Sequence, residues 1–156
     1  MVIRYDNTGN LEQIIQYNNH CQNLYIFPRF ITENNNGDVV VSDKYNGVVV
    51  TSREGRYRFS YSGPQSGSGL DPWGICTDAH SHILVCDGYT SAVHITDSDG
   101  QFLSFLPTKH LELDIKPFSL SYDVNNLLLY VGSINRHTIH VFRDITQYTA
   151  LNGNLL

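Results

Sequence analysis

The stretch Pro72–Leu106, PWGICTDAHSHILVCDGYTSAVHITDSDGQFLSFL, decides how the rest of the chain is read. Short runs of Val, Ile, Leu, Cys and Phe alternate in it with clusters of Asp, Gly, Ser and Thr, the texture of strands joined by tight turns. It divides into four expected strands, Trp73–Thr77, Ile83–Cys86, Ala92–Thr96 and Gln101–Leu106, separated by the turns DAHSH, DGYTS and DSDG. Helical periodicity is absent from it.

Working outward, the same unit recurs on both sides. Pro28, Pro72 and Pro117 are separated by 44 and 45 residues, and Ile31, Ile75 and Leu120, three positions after each proline, keep those intervals. Asp43, Asp87 and Gly132 do the same, as do Tyr45, Tyr89 and Ile134 two positions further on. Gly9, Gly55 and Gly100 mark a second point of the cycle. Four antiparallel strands per unit of about 45 residues is the pattern of a β-propeller blade, which cannot bury its own faces and must stack on neighbours. The expected fold is therefore all-β, a partial β-propeller of about three to three and a half four-stranded antiparallel blades. The expected segments are the outer strands of a preceding blade over 1–17, blades over 28–62 and 72–107, a last, incomplete blade over 117–145, and a tail over 146–156.

The 72–106 unit resembles an NHL repeat: Pro-x-Gly-Ile, a turn, an apolar run ending in Asp, a polar loop, Val-x-Ile, then Asp-x-x-Gly and an outer strand. PRFITENNNGDVVVSDKYNGVVVTSREGRYRF departs from the pattern by lacking the early Gly, and PFSLSYDVNNLLLYVGSINRHTIHVFRDI by carrying Gly132 in place of the Asp. Nearly the whole chain is covered. The resemblance implies a C-terminal half of an NHL propeller of the kind found in tripartite-motif proteins. It further implies a substrate-recognition module of an E3 ubiquitin ligase whose catalytic zinc regions lie elsewhere. Further blades or self-association would be needed to close the ring.

Composition limits the alternatives. At 156 residues, 41% hydrophobic and 16% charged, the chain is long enough for one packed domain. A formal charge of −5 works against broad phosphate-backbone contact. No run of eighteen apolar residues occurs, so no membrane association is expected. Three cysteines, Cys21, Cys76 and Cys86, suit a reducing compartment, and the opening MVIRYDNTGN lacks the layout of a signal peptide. A cytoplasmic location is expected.

Two cysteines and two histidines within CTDAHSHILVC raise the question of zinc. The repeat answers against a metal site there: Cys76 shares a column with Thr32 and Ser121, Cys86 with Ser42 and Val131, and His80 with the turn residues Asn36 and Asn125. A cysteine in mid-strand and a histidine at the tip of the hairpin do not converge on ligand distances of about 2.0–2.3 Å. A four-residue turn over 78–81 would set Cys76 opposite Ile83 and leave Cys86 rungs away, so two free buried thiols are expected rather than a disulfide. Ser81 aligns with Gly37 and Asn126, so these positions are expected to form the turn, where Gly and Asn tolerate positive φ. Asp43 and Asp87 are expected to accept backbone N–H bonds that fix the following loop. Arg53, Arg56 and Arg58 read as a solvated face.

No catalytic set, metal ligands or cofactor are nominated. The loops after the second strand and the starts of the first strands should share one face, giving Arg29, Lys44, Tyr45, Asn46, Trp73, Tyr89, Arg136 and His137 as expected binding residues, rich in the types that dominate hot spots. A protein partner is the leading expectation. The alternatives are RNA, through Arg29, Lys44 and Arg136, and a fragment of a six-bladed propeller hydrolase or lyase, with metal held in the central channel.

Overall fold

The computed structural model describes residues 1–65, 67, 69–106, 108, 115–143 and 145–149. Of the expected segments, residue 107 of the second whole blade, 144 of the last blade and 150–156 of the tail lie outside the described residues. The described residues form thirteen strands: β1 (Val2–Tyr5), β2 (Leu11–Ile15), β3 (Pro28–Glu33), β4 (Val39–Asp43), β5 (Gly47–Thr51), β6 (Tyr57–Tyr61), β7 (Pro72–Thr77), β8 (Ile83–Asp87), β9 (Ala92–Thr96), β10 (Phe102–Leu106), β11 (Pro117–Asp123), β12 (Leu128–Ser133) and β13 (Ile139–Arg143). One helical turn, α1 (Thr146–Thr149), follows. They make separate antiparallel sheets β1-β2, β3-β4-β5-β6, β7-β8-β9-β10 and β11-β12-β13. This is the expected half blade, two whole blades and an incomplete one.

Burial is deepest in the middle strands of the two whole blades. In β4, β5 and β8 every residue is buried, because blades stack on both faces and an alternating pattern is not required. The inner strand β3 and the outer strand β6 mix exposed with half-buried or buried residues instead. The apolar cores therefore lie between blades. Val40, Val48, Val50 and Tyr61 meet Leu70, Ile75, Ile83 and Val85, while Leu84, Cys86, Val93 and Ile95 meet Leu129 and Val131.

Glycine fixes one of these approaches. A Cβ on Gly74 would sit 2.5 Å from Cα of Ser119 and 2.6 Å from the Phe118 carbonyl oxygen, so the third residue of the Pro-x-Gly motif lets β11 lie directly against β7.

The first hairpin of the 72–106 blade differs from its expected register. Cys76 lies opposite Leu84, and Thr77 opposite Ile83, because Ser81 (φ 67°) and His82 close a turn one residue longer than expected. In the corresponding turns of the neighbouring blades positive φ falls on Gly37 and on Leu127. Both cysteines are buried and unpaired, and burial pushes their thiols up, away from the reactive thiolate.

Arg53, Arg56 and Arg58 are all exposed, in line with a solvated face, and Arg58 has a further role. Its guanidinium bonds Asp38 within its own blade and Asp99 of the next at 2.6 Å, tying two blades at the end that carries the β3–β4 and β9–β10 turns. Arg4 does the same with Glu33 at 3.2 Å. Among the described residues, no helix is long and apolar enough to cross a membrane.

Candidate interaction face

Carboxylates at the ends of the second strands build one end of the molecule. Asp43 accepts from the backbone N–H groups of Ile26 and Phe27 through Oδ2, at 2.8 and 2.7 Å, and from those of Tyr45 and Asn46 through Oδ1, both at 3.0 Å. One buried side chain thus fixes the approach to β3 and the β4–β5 loop together. Asp87 repeats the arrangement, accepting from the N–H groups of Asp71, Tyr89 and Thr90 at 2.8, 3.2 and 3.0 Å and from the Thr90 hydroxyl at 2.6 Å. Burial alone would raise the Asp87 pKa, but hydrogen bonds from His94, Thr90 and the backbone outweigh it and hold the carboxyl well below the usual carboxylate range. The third blade has Gly132 in this position, and Asn135 substitutes: its Oδ1 accepts from the Lys116 N–H at 2.8 Å.

The pairing of Pro28 with Asp43, Pro72 with Asp87 and Pro117 with Ser133 puts the starts of the inner strands at the same end as these loops. The expected binding residues do share this end, but not one role. Arg29 is not free: its side chain is only 8% exposed, its Nη1 donates to Asp71 Oδ1 at 2.7 Å and to the Pro72 carbonyl at 2.8 Å, and its guanidinium lies over the Trp73 ring. Trp73 in turn donates Nε1–H to Asp71 Oδ2 at 3.0 Å and packs on Phe118 at 4.9 Å between centroids. Both residues are structural joints between blades. Asn46 is half-buried and donates to the Leu24 carbonyl at 2.9 Å.

What remains open to a partner is Lys44, Tyr45, Tyr89, Arg136 and His137, all exposed. Tyr45 is 64%, Tyr89 66% and Ile134 61% exposed, one repeat column presenting an apolar side chain in three successive blades. Ile26 and Phe27, 61% and 55% exposed, extend the patch beside Tyr45. Sequence reasoning did not nominate Ile26, Phe27 or Ile134. The column shared with Tyr45 and Tyr89 was the available signal for Ile134, while no repeat column marks Ile26 and Phe27.

At the other end, the β7–β8 turn brings together Asp78, His80 and His82, with one donor atom of each within 4.8 Å of the others. The cysteines of the same stretch are not part of this group, since they point into the core between blades.

Stacked antiparallel blades with their cores between them define a β-propeller segment. Among solved structures the chain is similar to streptogramin B lyase, with 14% identity and a TM-score of 0.66 over 91% of this chain and 44% of that one. It is also similar to a structural-genomics target described as a gluconolactonase candidate, with 20% identity and a TM-score of 0.61 over 84% and 41%. A third is a catalytically inactive virginiamycin B lyase from Staphylococcus aureus with quinupristin, with 15% identity and a TM-score of 0.56 over 92% and 48%. At these identities the likeness is one of fold, and the chain spans less than half the length of each of these structures. No protein-family profile matches the chain, and no curated protein does.

Proposed function

We propose that the chain is an interaction segment of a β-propeller, binding a protein partner across the face that carries Tyr45, Tyr89 and Ile134. The observation that supports this most is their repeated exposure. The fold places the column at the solvent end of each blade, and an apolar side chain kept there in three successive blades adds nothing to the interblade cores. Tyrosine is also the residue type that supplies large, rigid contact area in binding hot spots. Substrate recognition for a tripartite-motif ubiquitin ligase is the finer form of this reading, and it rests on the NHL resemblance alone. An RNA ligand is less well supported, because Arg29 is already held by Asp71 and Trp73, leaving Lys44 and Arg136 of the three expected cations.

The test compares the wild-type chain with a Tyr45→Ser/Tyr89→Ser variant as bait, after both give the same circular dichroism. A protein retained by the first and lost from the second supports the reading; retention of the same set by both sinks it. Single-stranded RNA bound with a steep salt dependence would transfer the face to nucleic acid.

A second reading is favoured by the names of the similar structures: a piece of a propeller lyase or hydrolase. It predicts turnover of a lactone or of a streptogramin B antibiotic by the complete propeller, and absence of both activities there removes it.

A further inference from the structure

The turn that joins the first two strands of the 72–106 blade uses a device that recurs through the chain. A side-chain oxygen at the first position accepts the backbone N–H groups two and four residues on: Asp6 from Thr8 and Asn10, Asn18 from His20 and Gln22, Asp78 from His80 and His82, and Asp97 from Asp99 and Gln101. In the first of these turns the three side chains themselves meet. The Thr8 hydroxyl donates to Asp6 at 2.7 Å, and the Asn10 amide donates to Thr8 at 2.7 Å and to Asp6 at 3.1 Å. The backbone therefore gathers the side chains of the first, third and fifth residues on one side. Only in the 72–106 blade, among these turns, are the third and fifth residues both imidazoles.

We propose that Asp78, His80 and His82 form a binding site for a divalent metal ion of the zinc, nickel or copper class, with one carboxylate oxygen and two imidazole nitrogens as its protein ligands. Two nitrogens and one oxygen suit these borderline ions, whereas calcium and magnesium call for all-oxygen sets. Two of the donor side chains already lie side by side, His82 Nδ1 being 2.8 Å from Asp78 Oδ2. The two rings are stacked 5.7 Å apart at 28°.

The donors lie within 4.8 Å of one another, and tetrahedral coordination at about 2.0–2.2 Å draws the farthest of them in to roughly 3.3–3.6 Å, while the Asp78–His82 pair, now at 2.8 Å, opens slightly. Side-chain rotation of His80, which is exposed, supplies most of that contraction. The remaining coordination positions are left to water.

The backbone beneath the site is held from the neighbouring blade. Asn35 Nδ2 donates to the carbonyls of Asp78 and Ala79, each at 3.2 Å, and Asn34 Nδ2 to that of Ser81 at 3.2 Å. Ser81 closes the turn at φ 67°. The ligands are thus carried on a loop whose course does not depend on the ion.

The experiment is a calorimetric titration of the untagged full chain with Zn2+, with the imidazole resonances followed by NMR, on wild type, His80→Ala and a His20→Ala control. His80→Ala removes only an exposed ring and keeps the backbone N–H bond to Asp78, so folding is not at stake. Binding of one equivalent, with the His80 and His82 resonances shifting together, a loss of affinity of about tenfold or more in His80→Ala and no change in His20→Ala, is the expected result. Absence of saturable binding by wild type, or equal affinity in wild type and His80→Ala, overturns the assignment. This outcome is independent of what the opposite face binds.

Discussion

The guanidinium of Arg29 lies 3.8 Å from the centroid of the Trp73 indole. The pair joins β3 to β7, and Asp71 receives both of them, Arg29 on Oδ1 and Trp73 on Oδ2. Two residues that look like exposed binding anchors in the sequence are in this way used up in seating one blade on the next.

Replacing Arg29 by methionine keeps much of the packing over Trp73 but leaves Asp71, 22% exposed in its side chain, without its cation. The expected loss is roughly 2–3 kcal/mol in urea unfolding, below the 3–5 kcal/mol of a fully buried pair. Arg29→Lys should recover only part of it, because a point charge cannot both stack on the indole and reach Asp71 and the Pro72 carbonyl.

Gly74→Ala should destabilise by about 1–3 kcal/mol, the range for overpacking a close contact. The new methyl group meets backbone of Ser119 and Phe118 at 2.5 and 2.6 Å, which no side-chain rotation relieves. Thermal unfolding measures this, and an unchanged midpoint would mean that β11 does not lie against β7 as described.

Acid stability should report Asp87. Its carboxyl is held below the usual range in the folded chain and returns to about 3.9 on unfolding. The contribution is therefore fully present above about pH 4 and lost as the pH falls through the lower, folded value. Stability against urea should decline below about pH 4, and Asp87→Asn, expected to cost at least about 2 kcal/mol at neutral pH, should decline less steeply. Asp6 and Asp123, also held low by turn hydrogen bonds, Asp6 to about 2, shift in the same direction.

Open strand edges predict association of the isolated chain. β1 pairs only with β2, and β13 only with β12, among the described residues, and Ile3, Ile31, Ile139 and Val141 are 38–71% exposed near these ends. Sedimentation velocity should show concentration-dependent assembly, reduced by Ile139→Lys, which places a charge on an edge strand.

The repeat was legible in the residues themselves. Pro28, Pro72 and Pro117, with the Asp43/Asp87 and Tyr45/Tyr89/Ile134 columns, carry the strand count, the blade stacking and the loop-fixing carboxylates, because these depend on spacing and on local hydrogen bonding that recurs with each unit. The candidate face was legible only in part. The exposure of Lys44, Tyr45 and Tyr89 follows from loop position and strand order, while the packing of Arg29 and Trp73 on Asp71 does not, since it is fixed by the seating of one blade on another.

The same division holds at the other end of the molecule. CTDAHSHILVC determined by itself that a hairpin turn occurs and that its cysteines belong to strands, because repeat columns and turn chemistry are local. Only the tertiary structure decided that the side chains of Asp78, His80 and His82 come together and that Asn34 and Asn35 hold the loop beneath them, because side-chain convergence and interblade hydrogen bonds depend on positions in space that spacing along the chain does not encode.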